Sequence, residues 1–184
     1  MTTATAGGAL NVRKIVITGI LAAIAILLGV TRLGFIPVPN LSGNATIMHV
    51  PAIIGGVMEG PLVGMLVGGI FGLFSMLQDT TGLFRNPIVS VIPRLLIGVT
   101  SYYAYTAVKP RGEIMALIVA GIVGTLTNSI LVVGALVAFS LIPAAAVAGI
   151  IPQAIAEIII AAIITVAVVA GWKRIERGSG GSSI

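Results

Sequence analysis

Cysteine is absent from this chain, which excludes a disulfide framework, thiol chemistry and thiolate metal sites. Charge is nearly absent as well. Charged residues make up 8% of the sequence and hydrophobic ones 58%, against about 25% charged in an ordinary soluble domain. That contrast sets the class: an all-α, polytopic integral membrane protein. A single histidine leaves few ways to build a metal centre or a triad, and neither HExxH nor GxSxG occurs. No GxxxxGKS or GxxxxGKT loop is present, so the chain does not hydrolyse ATP by that route, and no cofactor is expected on it. The net charge of +5 is thinly spread, with no basic cluster alternating with aromatics, which argues against nucleic acid as a partner. An internal repeat is also missing, and short spans without one are a small apparatus for independent alternating access.

What is present is a series of apolar runs. A spanning helix needs about 20 apolar residues, and the sequence offers Ile15–Val30, Thr46–Met58, Leu62–Leu77, Ile88–Val108, Ile114–Phe139 and Ala148–Trp172. The second is short and begins near Pro51, so a tilted, kinked or partly spanning segment is expected there. Six segments place both termini on one side. Arg13, Lys14, Lys109, Arg111, Lys173, Arg174 and Arg177 fall on that side, with only Arg32 and Arg85 opposite and Arg94 within a helix. The excess of basic residues assigns the termini of this multi-pass cell-membrane protein to the cytoplasm. Residues 13–174 are expected to form one membrane domain, between a disordered tail over 1–12 and a flexible Gly/Ser-rich tail over 175–184. The turns Glu59-Gly60-Pro61 and Lys109–Glu113 are tight on the cytoplasmic side. The outer loops are longer, and the apolar Gly34-Phe35-Ile36-Pro37 is expected to fold down onto the bundle as part of a lid.

The stretch Asn44–Ser75 organises the rest. It reads as two apolar segments folded back at Glu59-Gly60-Pro61, with Gly64, Gly68 and Gly72 repeating every four residues. In lipid, hydrophobicity does not drive helices together, so such a small-residue edge is a packing edge. Polar residues interrupt the apolar runs: His49, Arg94, Asn128, and Gln153 with Glu157. Counted along the expected helices, His49 lies roughly 5 Å, Arg94 roughly 9 Å, Glu157 roughly 12 Å and Asn128 roughly 15 Å below the outer ends of their segments. Gln153 and Glu157 share a face, as do Ser90 and Arg94. An unpaired charge in hydrocarbon costs at least about 2.5–3.5 kcal/mol, so these groups should face one another, water or a ligand. Two readings stand side by side. Arg94 and Glu157 neutralise each other as a structural pair, or Arg94 holds a ligand carboxylate while Glu157 accepts from hydroxyl or amide groups. His49 and Asn128 are equally open to a packing role. Tyr102, Tyr103, Tyr105 and Trp172 fit an interfacial aromatic belt, and Asp79 and Arg85 fit solvated or locally paired loop residues.

Met48-His49-Val50-Pro51, Glu59-Gly60-Pro61-Leu62-Val63-Gly64 and the run from Asn86-Pro87 to Gly98 resemble the substrate-binding S-components of energy-coupling factor (ECF) vitamin transporters. The likeness extends from about Arg13 to Trp172. It implies a six-helix bundle that captures a small water-soluble vitamin from outside. It also implies partners: a transmembrane T-component carrying two cytoplasmic ATPases, which use the ATP, on which the S-component topples in the membrane. The family docks through a small-xxx-small pair on the first helix, usually two alanines. Here Gly19 and Ala23 hold that spacing, and Ala25 with Gly29 offers a second register. Asn44 to His49 together with Asn86-Pro87 are most similar to the pantothenate subgroup. That likeness implies a substrate site drawn from Asn44, His49, Asn86, Arg94, Asn128, Gln153 and Glu157. Folate, riboflavin, cobalamin or a thiamin precursor on the same architecture is the nearest alternative. A membrane enzyme using His49 and Glu157 as acid and base, or a purely structural subunit, is the more distant one.

Overall fold

The computed structural model describes residues 11–37 and 44–179. Residues 1–10 of the expected N-terminal tail and residues 180–184 at the other end therefore lie outside the described residues, while Asn11 and Val12 of that tail open a helix. Helix α1 (Val12–Val30) is opened by Asn11, whose side chain accepts from the Lys14 N–H at 2.9 Å. A short hairpin follows, β1 (Phe35–Pro37) against β2 (Asn44–Thr46), antiparallel with Phe35 opposite Thr46. Then come α2 (Val50–Glu59), α3 (Pro61–Leu77), the single turn α4 (Pro87–Ser90), α5 (Ile92–Val108), α6 (Glu113–Ala138) and α7 (Val147–Ser179). Taken as one span, α4 and α5 complete a bundle of six helices, four of them long and apolar enough to cross a membrane. The protein is a multi-pass membrane protein.

Two expected boundaries need correction. The second segment was expected to be helical from Thr46, but helix begins only at Val50, because Pro51 suits a first helical turn. Residues 44–46 instead pair as a strand. At ten residues, α2 is about 15 Å long, half the thickness of a bilayer core. The partly spanning segment expected here is thus found, α2 being too short to cross a membrane on its own. At the other end α7 remains helical to Ser179, seven residues past the expected helix end at Trp172.

α2 is buried on every side from Val50 to Val57 and touches α1, α3, α5, α6 and α7. The half-length helix is the plug around which the longer ones stand. Close approach is made possible by glycine. A Cβ on Gly64 would lie 2.7 Å from the Cα atoms of both Gly56 on α2 and Gly98 on α5. One on Gly68 would run into the Arg94 carbonyl, and one on Gly72 would lie 2.8 Å from the Val91 Cα. The ladder is thus the α3–α5 contact, and it sets where Arg94 leaves its helix.

At the end of the bundle where α1 starts, two polar links tie helices together. Arg13 donates to Glu59 at 2.9 Å, joining α1 to the α2–α3 turn. Lys173 on α7 bridges to Glu113, and to the Tyr105 hydroxyl at 2.6 Å. Tyr105 in turn donates to Glu113 at 2.7 Å.

Candidate functional site: a buried polar layer around the start of α2

Residues Thr46–His49, the passage from hairpin to α2, are the meeting point. The Thr46 backbone N–H donates to Glu157 Oε1 on α7 at 2.8 Å. Three residues on, His49 is fully buried, with Nε2 2.9 Å from Thr125 Oγ1 on α6. Thr125 donates its own hydrogen to the Gly121 carbonyl, also at 2.9 Å. With the Thr125 hydrogen on the Gly121 carbonyl, Nε2 donates to Thr125 Oγ1 and Nδ1 is the free acceptor. Nδ1 is buried and has no partner among the described residues. Asn128, three residues beyond Thr125 on the same face of α6, is buried with its Oδ1 likewise unpartnered.

Arg94 is 5% exposed. One terminal nitrogen donates to the carbonyls of Val89 and Ser90, each at 2.9 Å. These are carbonyls left open where α4 breaks into α5. Ser90 is itself fixed by donating to the Gly72 carbonyl at 2.8 Å. The guanidinium carbon lies 5.5 Å from the centroid of Phe71 and 5.0 Å from that of Phe84. Of its five N–H donors, the three on Nε and the second terminal nitrogen have no partner among the described residues, and Nε is wholly buried.

The structural pair Arg94–Glu157 that the sequence left open is not formed. Glu157, 4% exposed, takes its hydrogen bonds from Thr46 and from Gln153 Nε2 at 2.9 Å, both onto the same oxygen. Each buried charge has its own surroundings, and Arg94 has no carboxylate among the described residues. Such a cation is costly to bury without an anion.

The other expected site residues divide. Gln153 is half-buried beside Glu157. Asn86 caps α4, its Oδ1 accepting from the Ile88 N–H at 2.9 Å, which gives it a local structural role. The Asn44 backbone pairs with Pro37, and its side chain lies outside the described residues. On α1, Gly19 and Ala23 are exposed, and a Cβ on Gly19 would meet nothing within 4 Å. Ala25 is a correction: it is fully buried within the core cluster, and a Cβ on its register partner Gly29 would lie 2.5 Å from Met48. That register packs α1 onto the bundle and is closed to a partner. Sequence reasoning missed Thr125 as the anchor of His49, and Phe71 and Phe84 beside Arg94. Phe71 lies three residues after Gly68, and that spacing was the available signal. Phe84 is placed by tertiary folding of a loop and left none.

Two surface grooves, of about 570 and 290 Å³, are lined by α6 and α7 and by α6 alone, and contain none of these polar residues. The polar layer is interior, between helices.

Comparison with known proteins agrees with this architecture. The family model described as "ECF transporter, substrate-specific component" matches residues 13–169. The pantothenic acid transporter PanT of Lactococcus lactis subsp. cremoris (strain MG1363) is 27% identical, over 73% of this chain and 80% of that protein. A solved S component of a bacterial ECF transporter superposes with a TM-score of 0.63 at 23% identity, covering 90% of this chain and 96% of the other. These relatives are transporter components and not enzymes.

Proposed function

The chain belongs to the substrate-specific components of ECF transporters, and from that premise we propose that it captures pantothenate in the buried layer around Arg94. One observation carries the reading: Arg94 is buried with three open donors and no counter-ion among the described residues, and His49 Nδ1 and Asn128 Oδ1 are likewise buried without partners there. Pantothenate offers the complement, a carboxylate for the guanidinium fork and hydroxyl and amide hydrogens for the acceptors. The resemblance to a named pantothenic acid transporter supports the same choice. Glu157 serves the site from outside the cation's reach, holding the hairpin down through Thr46.

Delivery follows the family pattern. The end rich in basic residues faces the cytoplasm, the polar layer is loaded from the opposite side, and energy comes from ATPases on a partner module. The exposed Gly19–Ala23 face of α1 is the surface on which that module docks, since small residues permit close helix approach in lipid. Toppling then turns the loaded site inward.

A thermal-shift panel on the purified protein tests the substrate. A ligand bound only by the folded state stabilises it by about 2.7 kcal/mol at a hundredfold excess over its Kd. Pantothenate is expected to raise the melting temperature, with folate, riboflavin, cobalamin and thiamin precursors inert. A shift with one of those and none with pantothenate would reassign the substrate.

A further inference from the structure

The seam between α6 and α7 carries a groove of about 570 Å³ on its outer side that the polar layer does not use. Ile118 and Ile122 on α6 and Ile158, Ile163 and Val166 on α7 form its walls, with Ala162 between them. Ile118 and Ile163 are exposed, so the groove opens sideways, toward hydrocarbon. The helices approach closely beside it: a Cβ on Gly121 would lie 2.8 Å from the Ala162 Cα.

One end of the groove is electrically distinct. α6 starts at Glu113, where Lys173 of α7 bridges to it. From there Ile118 is about 7.5 Å along α6 and Val166 about 10.5 Å back along α7. The groove therefore begins one to two turns from this cluster. Lys109 stands 5.4 Å from the Tyr105 ring, Arg111 precedes α6, and Arg174 follows Lys173. Glu113 balances Lys173, which leaves three exposed cations. Arg111 and Arg174 have no hydrogen-bond or ion-pair partner among the described residues. Tyr103 and Trp172, both exposed, lie at the same end, and such aromatics mark the headgroup level.

We propose that this groove binds one anionic phospholipid, an acyl chain lying between α6 and α7 and the phosphodiester at Lys109, Arg111 and Arg174. The apolar walls select a chain, and the cations select a negative headgroup. A second copy seated here about a two-fold axis along the membrane normal would bring the same three cations against their equivalents, which repel. A zwitterionic lipid would leave their charge uncompensated.

The experiment uses the full chain in detergent, offered phosphatidylglycerol or phosphatidylcholine of identical chains, with retained lipid read by native mass spectrometry. One phosphatidylglycerol is expected to be retained in preference to phosphatidylcholine by roughly tenfold or more, in line with about 1 kcal/mol per basic residue at a surface. Arg111→Gln with Arg174→Gln should abolish the preference. Ala167→Phe, which fills the groove from an exposed position, should reduce retention of both lipids several-fold. Ala167→Leu is the milder replacement should the ring lower the melting temperature. Equal retention of the two lipids by the unaltered protein overturns the proposal. So does phosphatidylglycerol binding that ignores the groove variants, or that inorganic phosphate alone displaces. A lipid-free dimer in its place would assign the groove to a second copy.

Discussion

The Phe84 ring lies 5.0 Å from the guanidinium carbon of Arg94, and a half-buried loop carboxylate holds it there. Asp79 accepts from the Phe84 backbone N–H at 3.0 Å, and from the backbone and hydroxyl of Thr81 at 2.9 and 2.7 Å. Burial alone would raise the Asp79 carboxyl. Hydrogen bonds from Thr81, Phe84 and Gly82 outweigh it and hold the pKa below the usual range. A depressed pKa means that the loop is stabilised above the unfolded carboxyl's pKa, about 3.9. That contribution is lost as pH falls through the lower folded value. The amide chemical shifts of Thr81 and Phe84 should therefore be flat from pH 7 to about 4.5 and move together below the ordinary carboxylate value. Asp79→Asn should show the acid-form shifts already at pH 7. An inflection above 4.5 would place control of the loop elsewhere.

Arg94 itself separates ligand binding from folding. Arg94→Gln removes the cation and leaves an amide able to hold one of the Val89 and Ser90 carbonyls. Truncating one member of a buried charge pair costs about 2–5 kcal/mol of binding, so the affinity for a carboxylate vitamin should fall by at least roughly thirtyfold. Without ligand the variant should melt no lower than the parent by more than a few degrees, since a buried cation without an anion is itself a cost. Arg94→Lys should bind almost as poorly, because an ammonium lacks the planar fork. Calorimetry on the purified variants reads both effects. Unchanged affinity in Arg94→Gln would remove Arg94 from the site.

Much of this arrangement was visible in the residues alone, and the reasons differ by element. The Gly64–Gly68–Gly72 edge was legible as a packing edge because a four-residue period of small residues has one use in lipid; that it packs against α2 and α5 was not. The burial of His49, Arg94, Asn128 and Glu157 was legible because hydrocarbon penalises exposed polarity. Their partners were not. Glu157 is bound by a backbone N–H 111 positions away, and no local pattern encodes such a contact. The hairpin was hidden by its length, since three-residue strands carry no usable alternation. The late start of α2 follows from Pro51, which suits a first helical turn, whereas from sequence it signalled only a tilted, kinked or partly spanning segment. The overrun of α7 to Ser179 shows a charged, Gly-containing end following the helix that precedes it.

The ladder makes a sharp packing prediction. At Gly68 an added methyl would collide with the Arg94 carbonyl, and main chain gives way only if the helices separate. Gly68→Ala should destabilise by about 1–3 kcal/mol, the usual cost of overpacking. It should also weaken ligand binding, because α5 carries Arg94. Gly134→Ala is the control: nothing lies within 4 Å of a Cβ there, and in a helix interior the change should be neutral or mildly stabilising. Thermal denaturation of the two variants side by side decides it, and equal melting temperatures would rule out the tight α3–α5 crossing.

On α1 the two registers should behave oppositely, because one faces outward and the other inward. Gly19→Leu and Ala23→Leu place bulk where the bundle has room. Both variants should therefore fold and bind vitamin with affinities within about twofold of the parent, surface changes usually lying within about 0.5 kcal/mol. If a partner helix must lie close against this face, their uptake in cells with the complete transporter should nonetheless drop by an order of magnitude or more. Ala25→Leu forces a larger side chain into a fully buried position, so it should lose stability by about 1–3 kcal/mol and lose binding and uptake together. Paired binding and uptake assays on the three variants distinguish a docking face from a packing face. Full uptake by Gly19→Leu and Ala23→Leu would show that the module meets the bundle along another helix.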